Sequence, residues 1–128
     1  MVSIAFYPIF GKPFVLYLGI VTLISFLVTA ILGISFYRGL LRFKWHPTMV
    51  LVSFFLAIIM AVVGISAGNP FIGILGLWTL LLFFITAMLG LSIHKRWLNV
   101  RFMWHPAMVV ISFIFATIHG ILGILVFG

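Results

Sequence analysis

Four long apolar runs, near residues 13–37, 47–67, 70–94 and 106–127, constrain this chain more than anything else in it. Each is long enough to cross roughly 30 Å of hydrocarbon as a helix. None alternates with a period of two, so transmembrane helices are expected rather than a closed barrel. A soluble domain carries about 25% charged residues, whereas this chain carries 5% and has neither Asp nor Glu among its 128 residues. The expected fold is an all-α, integral membrane four-helix bundle. Residues 1–128 read as one transmembrane domain.

The loop at 38–46 holds Arg38, Arg42 and Lys44, and the loop at 95–105 holds Lys95, Arg96 and Arg101. The opposite side has Lys12 alone, and the connection Ser66-Ala67-Gly68-Asn69 has no charge. Positive charge marks the cytoplasmic side, so both basic loops are expected there and both termini outside. The first dozen residues lack a basic segment followed by an apolar one, so no cleaved signal peptide is expected. The net charge of +7 sits in two clusters beside the membrane, which suits anionic lipid headgroups rather than nucleic acid.

The second half repeats the first, giving two two-helix units at 11–67 and 68–128. At an offset of 57, Thr22, Thr29, Ala30, Gly33 and Ser35 match Thr79, Thr86, Ala87, Gly90 and Ser92. After two extra loop residues the offset is 59, and Arg42-Phe43 and Trp45-His46-Pro47 match Arg101-Phe102 and Trp104-His105-Pro106. Met49, Ser53, Phe54, Ala57 and Gly64 also recur at that offset. Such units are expected to be related by a twofold axis along the membrane normal.

Candidate functional residues fall at one spacing. Gly19 and Gly33, Gly76 and Gly90, His46 and Met60, and His105 and His119 are each fourteen apart. Fourteen helical residues make almost four turns, so each pair shares a face and is separated by about 21 Å. The glycines lie on the first and third runs, and the His and Met residues on the second and fourth. The registers agree in depth: Gly33 and Gly90 lie with His46 and His105 toward the basic loops, and Gly19 and Gly76 lie with Met60 and His119 toward the other side. The absence of a side chain at these positions would admit either a close helix neighbour or the edge of a macrocycle.

His46 and His105 fit two roles. Each is a polar residue where a helix opens, with Pro next, suited to the first helical position, and Trp before it as an interfacial anchor. Alternatively, the two meet across the twofold axis and ligate one iron from both faces. His119 lies in mid-span, where an ionisable residue is a functional candidate. Its counterpart Met60 is either core filler or an axial ligand. His94 ends the third run and fits a snorkelling side chain or a contact with quinone or propionate. Arg42 and Arg101, with the other loop cations, would neutralise haem propionates at the His46/His105 end.

With these residues the chain resembles the di-haem four-helix membrane cytochromes b, including the haem-bearing bundle of quinol-oxidising complexes and the looser b561-like families. In that bundle, helices two and four carry two His each, and helices one and three carry paired Gly. The resemblance covers Gly11 to Gly128 as a pattern. It implies one haem b at His46 and His105 and a second at His119, with quinone or other redox subunits as partners. The sequence departs from the pattern at Met60, where the family has His, and it lacks the acidic motif of quinol oxidation. The expected function is electron transfer rather than bond-making catalysis. The competing class is a haem-free structural subunit of a larger membrane complex. A transporter is disfavoured by the missing carboxylates, and a zinc site by the missing Cys and carboxylate ligands.

Overall fold

In lipid these apolar runs must satisfy their own backbone groups. The computed structural model, which describes residues 4–128, shows four helices: α1 (Phe14–Tyr37), α2 (Trp45–Ser66), α3 (Pro70–Lys95) and α4 (Trp104–Phe127). All four are long and apolar enough to cross a membrane. Their outward faces carry exposed Ile, Leu, Val and Phe throughout, as a lipid solvent requires. Met1–Ser3, where the stretch read for a signal peptide begins, lie outside the described residues.

Two helix starts differ from expectation. α2 and α4 begin at Trp45 and Trp104, so Pro47 and Pro106 are the third helical residues rather than the first. The first N–H groups of a helix have no partner within it, so proline is accommodated anywhere in that turn. The first bonds of α-helical spacing follow at once, from Thr48 N to the Lys44 carbonyl and from Ala107 N to the Met103 carbonyl. His46 and His105 thereby sit inside the first turn.

Just beyond the end of α1, Gly39 (φ 73°) has a left-handed backbone that lets Leu40 N return to the Ser35 carbonyl at 2.8 Å. The equivalent position at the end of α3 is Arg96 (φ 54°), and Trp97 N returns to the Ser92 carbonyl at 3.1 Å. The same closure is made with a side chain where glycine is preferred. Asn69 caps α3 by accepting from Ile72 N at 3.2 Å, with Pro70 at the first helical position.

The chain forms two hairpins, α1–α2 and α3–α4, which pack closely within themselves and more loosely against each other. Matching bonds staple each hairpin: Thr29 to Ser53 at 2.9 Å and Thr86 to Ser112 at 3.0 Å, with both serines fully buried. Contacts between hairpins also come in matching sets. Phe26 of α1 stacks on Phe83 of α3, with centroids 3.8 Å apart and planes at 16°, and Phe54 and Phe113 abut this pair edge-on. At the basic end the hairpins exchange rings: Tyr37 stacks on Phe102, and His94 stacks on Phe43. At the other end, strands Pro8–Ile9 and Lys12–Pro13 pair antiparallel. There Lys12 Nζ donates to the Gly128 carbonyl at 2.6 Å.

Candidate functional site

Each histidine expected to ligate lies against a glycine of its own hairpin. A methyl group at Gly33 would stand 2.9 Å from His46 Cε1, and one at Gly90 would stand 2.8 Å from His105 Cε1. Both are closer than carbon atoms pack. The missing side chains therefore seat the imidazoles.

The seating aims each ring. His46 Nδ1 lies 2.9 Å from the Thr29 carbonyl, and His105 Nδ1 lies 2.9 Å from the Thr86 carbonyl. Thr29 and Thr86 each stand one helical turn before the glycine that admits the ring. A carbonyl oxygen only accepts, so Nδ1 carries a proton, and in the neutral ring Nε2 is then the nitrogen with the lone pair. The threonine hydroxyls meanwhile hold Ser53 and Ser112 on the partner helices, which locks each hairpin at the same level. Backbone acceptors have no signature in a sequence; the recurrence of Thr29 and Ser53 in both halves was the one available sign of this support.

The two half-buried imidazoles approach one another from α2 and α4. Their centroids are 6.3 Å apart and their planes are nearly perpendicular, at 85°. Among the described residues, Nε2 of neither ring has a hydrogen-bond partner. The exposed side chains of Arg42, Lys44, Lys95, Arg96 and Arg101 occupy the same end of the bundle. Lys44 also lies over the Trp45 ring, 5.3 Å from its centroid. No cluster of three or more His, Cys, Asp or Glu side chains occurs among the described residues, so any metal here would rest on two protein ligands.

Met60 and His119 repeat the seating less fully. A methyl at Gly19 would lie 3.4 Å from Met60 Cε, an ordinary contact, whereas one at Gly76 would lie 2.9 Å from His119 Cε1. His119 Nδ1 is buried and has no hydrogen-bond partner among the described residues. Gly19, Gly76, Met60 and His119 all line one cavity on the side away from the basic loops. His94 is exposed and stacks on Phe43 with centroids 4.0 Å apart, so its visible role is to join the hairpins.

Comparison with protein-family models, with curated proteins and with solved structures finds no match.

Proposed function

We propose that the chain is a membrane haem-b electron carrier whose iron is held by His46 and His105. The observation that carries this reading is the pair of imidazoles brought together with Nδ1 tied off and Nε2 free. Ligating histidines characteristically give their other ring N–H to a carbonyl, which fixes the tautomer and orientation and raises ligand basicity. Metal–nitrogen bonds of about 2.0–2.1 Å place the ring centres of two imidazoles on opposite sides of one metal about 6–6.5 Å apart. The observed 6.3 Å lies within that span. His46 and His105 would be the two protein ligands of a haem, whose macrocycle would supply the remaining donors.

When bound, haem supplies a one-electron ferric/ferrous couple. The protein's residues do the rest. Gly33 and Gly90 admit the rings, the Thr29 and Thr86 carbonyls orient them, and the apolar helix faces exclude water. Arg42 and Arg101, with Lys44, Lys95 and Arg96, supply cations for the propionates and for anionic lipid headgroups. By the positive-inside bias this end faces the cytoplasm. Electrons are exchanged there with another subunit of a membrane redox complex or with quinone.

The test is haem content in isolated membranes containing each variant. His46→Ala and His105→Ala should each lose the haem, whereas His94→Ala should keep it. Full haem content in His105→Ala would remove the assignment.

A further inference from the structure

Beyond the Phe26–Phe83 stack, on the side away from the basic loops, residues of all four helices line a cavity of about 260 Å³. Missing side chains make its space: a methyl group at Gly64, Gly73, Gly120 or Gly123 would meet nothing within 4 Å. The lining runs from Val15 to Phe26 on α1, from Ile72 to Phe83 on α3 and from Ala116 to Phe127 on α4. Eleven residue steps along a helix measure about 16 Å. One leaflet contributes half of a hydrocarbon core of roughly 30 Å, or about 15 Å. The cavity is therefore as deep as one leaflet and stops at the stacked phenylalanines. Ile20, Ile65, Leu77, Ile121 and Ile124 belong both to its lining and to the lipid-exposed surface, so it opens sideways between the loosely packed hairpins.

Few polar side chains reach this lining. Thr22, Thr79 and Thr117 each donate to a carbonyl one turn back on their own helix, at 2.7, 2.8 and 2.8 Å. The buried Nδ1 of His119 has no acceptor to fix its ring, unlike His46 and His105. A second haem fits here poorly for that reason, and because its two carboxylates would need cations where Lys12 is the one Lys or Arg. Asn69 is the remaining polar residue. Its Oδ1 caps α3 by accepting from Ile72 N, and its side-chain amide donors have no partner among the described residues. Asn69 immediately precedes α3, so these donors lie at the outer end of the cavity, where the span meets the interface. The occupant that matches is a flexible apolar chain about one leaflet long, with a hydrogen-bond acceptor at its outer end.

We infer that this cavity holds one acyl chain of a glycerophospholipid from the leaflet away from the basic loops, with the ester carbonyl of that chain accepting from the Asn69 amide. In a bilayer the ester carbonyls lie at the outer boundary of the hydrocarbon, which is the level of Asn69. The acyl chain lies between the hairpins, fills the space left by the four glycines and ends against Phe26 and Phe83. The lipid is thus a packing element of the bundle. It takes no part in haem ligation, so the site stands or falls independently of the electron-carrier reading.

The experiment titrates dioleoylphosphatidylcholine, whose zwitterionic headgroup gives the basic loops little to hold, into the delipidated full chain in detergent. Native mass spectrometry counts and weighs what is bound. A diazirine at the end of one acyl chain then reports by photolabelling where that chain ends. Saturable binding of one phospholipid per chain is expected, with the label on peptides that contain Phe26, Ala57, Phe83 or Ala116. Gly73→Leu and Gly123→Leu should each block binding with helicity unchanged, because the first added carbon meets nothing within 4 Å and the rest takes the space of the acyl chain. Asn69→Asp keeps the capping oxygen but removes the donor, and should weaken binding about fivefold, the worth of one hydrogen bond. Phospholipid binding in a chain without haem would support the site and remove the carrier reading alone. The inference is overturned if the wild-type chain binds no phospholipid saturably, or if a fatty acid, an isoprenoid lipid or a second haem occupies the cavity instead. It is overturned equally if the label falls elsewhere or if both leucine variants bind like the wild type.

Discussion

A single methyl group at Gly90 should cost the protein most of its affinity for haem. The added carbon would stand 2.8 Å from His105 Cε1 and 3.1 Å from Nδ1. Carbon atoms pack at about 3.5–4.0 Å, so the ring or the helix must give way by roughly 0.7 Å or more. The backbone is held by the Thr86–Ser112 staple one turn away, so the ring moves. Its 2.9 Å bond to the Thr86 carbonyl then lengthens beyond useful range. Forcing a methylene into a packed site costs about 1–3 kcal/mol, and the lost hydrogen bond about 1 kcal/mol. Losing an orienting partner of a metal ligand typically lowers metal affinity 10–100-fold. The assay titrates haem into the haem-depleted Gly90→Ala protein, following the Soret band, with circular dichroism to establish that the helices persist. Gly73→Ala is the control, since nothing lies within 4 Å of its added methyl. Wild-type affinity in Gly90→Ala would refute the claim that this glycine seats a ligand.

Other outcomes follow from the same contacts. Arg96→Gly should raise stability by up to about 1 kcal/mol, because only glycine takes the left-handed conformation at no cost; unchanged or lowered stability on reversible denaturation in mixed detergent would contradict this. Ser112→Ala should cost about 0.6 kcal/mol, the usual worth of an interhelical hydrogen bond in a membrane, and a double-mutant cycle with Thr86→Val should show that the two act as one pair. Phe83→Ala should cost about 3–5 kcal/mol and loosen one hairpin from the other, measured as faster proteolysis between the hairpins; cleavage no faster than in the wild type would assign the stack no such role. With planes at 85°, the His46/His105 pair should give the highly anisotropic low-spin ferric resonance of perpendicular imidazoles, and a signal of parallel rings would show that the geometry differs once haem is bound.

The helices were legible in the sequence to within about two residues because lipid leaves an apolar run of this length one option. The matching depths of Gly33 with His46 and of Gly90 with His105 were also legible, since the fourteen-residue spacing is fixed by helix geometry. What the glycines admit was not legible. A missing side chain says that something comes close, and only the packed hairpin shows that it is the imidazole. The Thr29 and Thr86 carbonyls escaped for a related reason, because every residue has a carbonyl. Phe26 and Phe83 were hidden among 15 phenylalanines, and only their placement on α1 and α3 makes them the stack that separates the two halves of the bundle. His94 could be read as a snorkelling or ligand-binding side chain until Phe43, far away in sequence, was seen beneath it.

In the electron-carrier reading, two imidazoles hold a haem. The dithionite-reduced minus oxidised visible spectrum of the purified protein, with pyridine haemochrome quantitation, tests it most directly. The protein should show a b-type α-band with one haem per chain, and His105→Ala should abolish it. A folded protein isolated from haem-replete cells without a Soret band would contradict the claim, leaving His46 and His105 as polar residues that close the two hairpins.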